Sequence, residues 1–283
     1  MGPLGTLGVA MLSCPRVSLV AVLLFATFCL LPGRAFSQSH SEQVQVKPPL
    51  LRMTEPPSAE ATEAQLESRG DELRAEKLYL DALDYYRAAL AKERNSAKLF
   101  NKIGITELMM QRYHDAKKCF EDSIKSDHTA ADAYNNLGVV LYEERKYGAA
   151  VKEYRKAIAI DQESASFYSN LGAALFSKRK FDDAATAYQQ AVQLDPDVFE
   201  RTSRTGVQAQ LPSPDDRAHY DYTVAKLYAK LGYSDRSLEY LRRALEEGYK
   251  DFKDVYKDSE FAQVRKDKRF AELVAEKTPT LPN

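Results

Sequence analysis

Tryptophan is absent from the 283 residues, histidine occurs four times and cysteine three times. Cys14 and Cys29 fall in an N-terminal segment expected to be removed, which leaves Cys119 alone. An intrachain disulfide is therefore excluded for the processed chain, and packing must supply its stability. His40, His114, His128 and His219 are scattered, with no H-x-x-x-H pair and no Cys/His spacing suited to a metal. No metal and no cofactor is expected. The chain also lacks G-x-S-x-G, a P-loop and G-x-G-x-x-G. Its carboxylates sit on amphipathic patterns, where solvated surface is the ordinary role, and Cys119 beside Phe120 reads as a half-buried small residue rather than a nucleophile. The expectation is a protein that is not an enzyme. A charge excess is missing as well: 40 basic against 41 acidic residues leave −1. Nothing in that balance provides the basic footprint that nucleic acid demands, so no nucleic-acid partner is expected.

A long apolar run is missing too. Val17–Leu31 is fifteen residues, short of the roughly 20 that cross a bilayer comfortably. With Arg16 before it, Pro32-Gly33 after it and the small residues of Ala35-Phe36-Ser37 at a cleavage site, residues 1–37 read as a signal peptide. The expected destination is periplasmic or extracellular, after cleavage near Ser37. An uncleaved membrane anchor is the alternative, and it would be the only membrane contact. Residues 38–62 are polar, contain Pro48-Pro49 and Pro56-Pro57, and read as a flexible linker.

Beyond the linker the chain repeats itself. Ala82, Ala116, Ala150 and Ala184 stand 34 residues apart, and so do Tyr86, Phe120, Tyr154 and Tyr188. The same step joins Gly70, Gly104, Gly138 and Gly172 in the preceding half of each unit. Self-similarity at this period signals stacked helical units. Within a unit, "DAYNNLGVVLYEERK" and "YGAAVKEYRKAIAI" each place apolar residues at helical spacing around a short polar break. The glycine and alanine columns let two helices approach closely, while the aromatics fill the wider spaces. One such pair cannot bury both faces, so the units must stack.

These residues resemble the tetratricopeptide repeat family. The third unit carries the resemblance through Tyr134, Leu137-Gly138, Leu141, Ala150, Tyr154 and Ala157, and the fourth through Tyr168, Leu171-Gly172, Leu175, Ala184, Tyr188, Ala191 and Pro196. The second departs at Glu107 and Ser123, and the first at Arg69. The implied fold is all-α, a right-handed superhelical solenoid of about five helix-turn-helix repeats near 63–96, 97–130, 131–164, 165–198 and 218–247. Residues 248–283 are expected to form short capping helices and a tail, with Phe252, Tyr256, Phe261, Val264, Phe270 and Leu273 covering the last repeat.

The resemblance implies a concave groove lined by first-helix residues that takes a protein or peptide partner. On this chain those positions give Lys98, Asn101, Lys102, Ile105, Asn135, Asn136, Val139, Tyr142, Ser169, Asn170 and Phe176. Asn136 and Asn170 are placed either to hold a peptide backbone, since an amide both donates and accepts, or to bond neighbouring helices. Nineteen residues, 199–217, interrupt the spacing before the fifth repeat. A loop tolerated at little entropic cost is one reading; a lid built on Phe199, Arg201 and Arg204 is the other. The implied function is a non-catalytic exported scaffold or adaptor. The alternative is a structural subunit of an envelope complex, acting through its outer face and C-terminal tail.

Overall fold

The computed structural model describes residues 52–200 and 214–275, with side chains described from 216 onward in the second stretch. The signal segment, most of the linker, residues 201–213 and the last eight residues lie outside the described residues.

Among the described residues the chain forms α-helices and short 3₁₀ turns, with no strand. Four pairs repeat one plan: α1 (Glu63–Ala75) with α2 (Tyr79–Lys92), α3 (Ala97–Met109) with α4 (Tyr113–Ser126), α5 (Ala131–Glu143) with α6 (Tyr147–Ile160), and α7 (Ala165–Ser177) with α8 (Phe181–Leu194). A fifth pair, α9 (Pro214–Lys230) and α10 (Ser234–Glu246), follows. Each pair also packs on the next, which makes the stack a solenoid. The first helices of successive pairs touch, α3 with α5 and α5 with α7, whereas the second helices do not approach to the same extent. The stack therefore curves, and its inner face is the face of the first helices.

The columns have the mechanical roles their sizes suggest. Ala82, Ala116, Ala150 and Ala184 are fully buried. A Cβ on Gly138 would lie 2.6 Å from Cε1 of Tyr154, so only glycine lets that ring cross beneath α5. The turn inside each pair is a repeated C-cap. In the third pair Arg145 N donates to Tyr142 O and Lys146 N to Leu141 O, with Arg145 at φ 59. Lys77, Gln111 and Arg179 hold the same left-handed conformation, and only the fifth pair has glycine there, Gly232.

The departures in the second unit are compensated locally. Glu107 is buried, yet Arg87 of α2 donates to it at 2.9 Å and Arg112 at 3.3 Å. Ser123 donates to the carbonyl of Ala97 at 2.7 Å, tying α4 to the start of α3. Arg69 is half-buried and pairs with Glu72.

The linker expectation fails over its last stretch. Asp81 of α2 accepts from the backbone N–H groups of Met53 and Thr54 and from the Thr54 hydroxyl. Arg52 grips Asp84 through both carboxylate oxygens, and Lys92 donates to the carbonyl of Ala59. Residues 52–61 are thus a strap across α2, held because one carboxylate gathers several donors. Thr62 then starts α1 with a reciprocal capping box to Gln65.

At the other end three 3₁₀ turns (Phe252–Tyr256, Ser259–Ala262, Val264–Lys266) and α11 (Lys268–Ala275) close the stack. Phe261, Val264, Phe270 and Leu273 are buried there. Tyr256 is a correction: it is 55% exposed, and Val255 takes the buried place because a 3₁₀ turn points it inward instead.

Candidate functional site

The inner face is crossed by side-chain bonds that run from one first helix to the next. Between α1 and α3, Lys98 pairs with Glu67 at 2.7 Å and Lys102 with Asp71 at 2.5 Å; Lys102 also pairs with Glu67. Burial works against the Glu67 carboxylate, but the bonds from Lys102 and Lys98 outweigh it and hold the group below its ordinary range. Between α3 and α5, Asn136 donates to Asn101 at 3.0 Å. Between α5 and α7, Asn170 donates to Asn135 at 2.9 Å, and the hydroxyls of Tyr142 and Ser177 share a bond of 2.9 Å. Asn135 also donates to its neighbour Asn136.

Of the expected residues, Asn101, Asn135, Asn136, Tyr142 and Asn170 are thus joined from helix to helix, and all but Lys98, Asn101 and Lys102 are buried. Of the two readings of the asparagines, the one the structure displays is the bonding of neighbouring helices. The ladder ties first helix to first helix along the curve. Ile105, Val139 and Ala173 form an apolar row through the second, third and fourth pairs, and that row is buried, as is Ser169. Phe176 at the far end packs edge-on to Phe181 at 5.0 Å and to His219 at 5.1 Å, so it is a core residue of the junction with α9.

The lid expectation is corrected at Phe199. Its ring lies 5.5 Å from Tyr188, 6.1 Å from Tyr220 and 6.2 Å from Tyr228, edge-on to each. It is a plug between the fourth and fifth pairs, and Arg201 and Arg204 lie outside the described residues. The turn before it is anchored as well: the Pro196 carbonyl accepts from the Tyr228 hydroxyl at 2.9 Å and from Arg236, which also pairs with Asp197. At the other end of the interruption α9 already begins at Pro214, with Asp216 paired to Arg179.

Sequence reasoning missed one concavity, a cleft of about 510 Å³ between α8, α9 and the capping turns. Its polar groups serve one another. Lys226 pairs with Asp258 at 3.0 Å, Tyr222 donates to Asp258 at 3.0 Å, and Lys230 donates to Gln189 at 3.1 Å. No motif announces it, because the residues come from three elements of unrelated pattern. Cys119 is half-buried, and its burial, reinforced by the nearby Glu107, pushes the thiol up to about 11, away from a nucleophile's range. Among the described residues no group of three His, Cys, Asp or Glu side chains is placed to hold a metal, and no helix is long and apolar enough to cross a membrane.

Comparison with known proteins addresses the repeat directly. Models of the tetratricopeptide repeat match residues 165–198 and 222–247, and a TPR repeat model matches 141–179. No curated protein sequence matches the chain. Among solved structures, PilF of Pseudomonas aeruginosa is 17% identical over 76% of this chain and 97% of its own, with a TM-score of 0.50, a likeness of fold. MamA of Desulfovibrio magneticus RS-1 is 18% identical over 67% of this chain and 97% of its own, with a TM-score of 0.47. YrrB, described as a TPR protein with an unusual peptide-binding site, is 18% identical over 68% and 95%, with a TM-score of 0.44. With the 34-residue columns in place in space and three repeat models laid on them, the chain belongs to the tetratricopeptide repeat family.

Proposed function

We propose that the protein is a non-catalytic adaptor that binds an extended segment of a partner protein along the inner face of its first helices, and that it does so after export. The observation that carries the reading is the inner face of the first helices, where exposed Lys98 and half-buried Asn101 and Lys102 lie beside side chains already bonded from helix to helix. A braced face costs little to organise on binding, since its side chains lose few rotamers. The cleft at α8–α9 supports the reading less well, because its charges are already paired.

A photo-crosslinking residue at exposed position 98 of the full chain, produced in its source cells, tests the proposal. The same residue at exposed position 155 on α6 reports on the outer face. The adaptor reading expects covalent partner adducts from 98 and none from 155. Adducts from 155 alone would favour an assembly subunit working through its outer face. Export is read from the N-terminal pattern, and sequencing the N-terminus of the purified protein tests it: a start at Gln38 supports cleavage, and a retained apolar segment supports an anchor.

A further inference from the structure

The ladder of inner-face bonds stops at α7. With Ala225 set against Gly172, α9 presents Thr223 and Lys226 where α7 presents Asn170 and Ala173. Asn170 reaches back to α5, but Thr223 donates to the carbonyl of His219 in its own helix and Lys226 pairs with Asp258 of the cap. The second helix α8 also meets α9 less closely than α2 meets α3, α4 meets α5 or α6 meets α7. Tyr220 and Tyr228 close one side of this junction on Phe199, and another side is left as the cleft of about 510 Å³. That volume is in the range of sites that hold a ligand. Its lining is reachable from solvent: Asp182 and Lys230 are exposed, and His219, Tyr249 and Asp254 are half-buried.

One wall of the cleft is aromatic. Phe181 and Tyr249 flank the His219 ring at 4.4 and 5.9 Å, and Tyr249 stacks on Tyr222 at 4.4 Å. Burial holds the His219 imidazole below its ordinary range, so this wall is neutral at pH 7. The rest of the lining is acidic in balance, with Asp182, Asp254, Asp258 and Glu260 against Lys226 and Lys230. The lysines are spent, Lys226 on Asp258 and Glu260 and Lys230 on Gln189. The acids are not. Among the described residues the Asp182 carboxylate has no bonded partner, and Asp254 has only the exposed Lys257. Just outside the lining, Arg179 is taken by Asp216, and Asp251 adds a further negative charge near His219.

We propose that this cleft receives an arginine side chain from an extended segment of a partner protein, with the guanidinium against the aromatic wall and its charge answered by Asp182 and Asp254. The site is separate from the braced inner face of α3 to α7 and does not depend on what that face takes. Ring faces attract a cation, and the surplus of carboxylates repels an anion. Arginine fits better than lysine, because its planar, weakly hydrated head stacks on rings and forks to a carboxylate. The chain displays such stacking itself, with Arg243 over the Tyr240 ring at 4.5 Å.

A displayed library of random 12-residue peptides, selected on the full chain, is the probe. The binders are then measured by fluorescence anisotropy against variants. Binders with more arginine than acidic residues are expected. Citrulline in place of that arginine, equal in shape but without the charge, abolishes their binding. Asp182→Asn with Asp254→Asn lowers affinity about tenfold, the scale of two half-exposed ion contacts, and added salt lowers it as well. The melting temperature of the double variant holds, because neither carboxylate bonds to a neighbouring helix. Lys98→Ala, at the far end of the inner face, leaves these binders unaffected. Unchanged affinity in the double variant overturns the assignment. Binders that weaken with Lys98→Ala instead lie on the inner face, so the cleft loses its guest while the adaptor reading stands. Binding that survives citrulline overturns the arginine contact, and a library that yields no binder overturns the proposal.

Discussion

A glycine beneath an aromatic ring is the smallest unit in which this fold is encoded. Gly138 and Tyr154 stand in columns that recur at 34 residues, so the close approach between paired helices was legible from size alone. The turns between those helices were not. Lys77, Gln111, Arg145 and Arg179 adopt positive φ without the glycine that signals it. They are held there by the cap bonds rather than by their own preference, and such bonds come from backbone atoms that no residue type reveals. The same limit hid the strap, whose donors to Asp81 are mainly the N–H groups of Met53 and Thr54. The glycine column carries a direct test. In Gly138→Ala the new Cβ meets the Tyr154 ring at 2.6 Å, between two helices with no room to part. Overpacking of this kind costs about 1–3 kcal/mol, which urea unfolding followed by circular dichroism would read. A variant as stable as the parent would mean that the ring can slide and that the column is not a packing constraint.

At the scale of elements, the interruption before α9 is where pattern reasoning divided. Its address was readable, because the beat stops after Pro196 and resumes at α9. Its role was not, because a phenylalanine in a polar tract looks equally suited to a lid and to a plug. Geometry decides for the plug, since Phe199 touches four tyrosines of α8, α9 and α10. The inner-face asparagines divided in the same way: residue type placed them on the groove, and only the distances show Asn136 and Asn170 bonded to the preceding first helix. Phe199→Ala would leave a void among edge-on rings and is expected to lower stability by about 2–4 kcal/mol. The loss belongs to the α8–α10 junction, so tyrosine fluorescence, which reports on that cluster, should change with it. A lid would behave differently, with stability untouched and only partner affinity altered.

Across the whole molecule, stability is a sum over neighbours, because each pair packs on the next and on little else. That is also why five pairs could be counted in the sequence, whereas of the two ends only the C-terminal cover was expected, from its apolar residues, and the strap was not: covering contacts have no period. The strap closes the first pair, and the 3₁₀ turns with α11 close the fifth. The C-terminal cover contributes Val255, Phe261, Val264, Phe270 and Leu273 to the core. It also supplies Asp258, which Tyr222 and Lys226 hold. A chain ending at Gly248 loses all of these at once. If coupling runs only between neighbours, the damage stays local. Hydrogen exchange in α9 and α10 should accelerate by about tenfold or more, since several buried apolar side chains lose their contacts. Exchange in α3 to α6, two pairs away, should be unchanged. Equal acceleration along the entire stack would show instead that the solenoid opens as one cooperative body. The inner face of α3 to α7 would then depend on the C-terminal cover for its order, although that cover packs on α9 and α10.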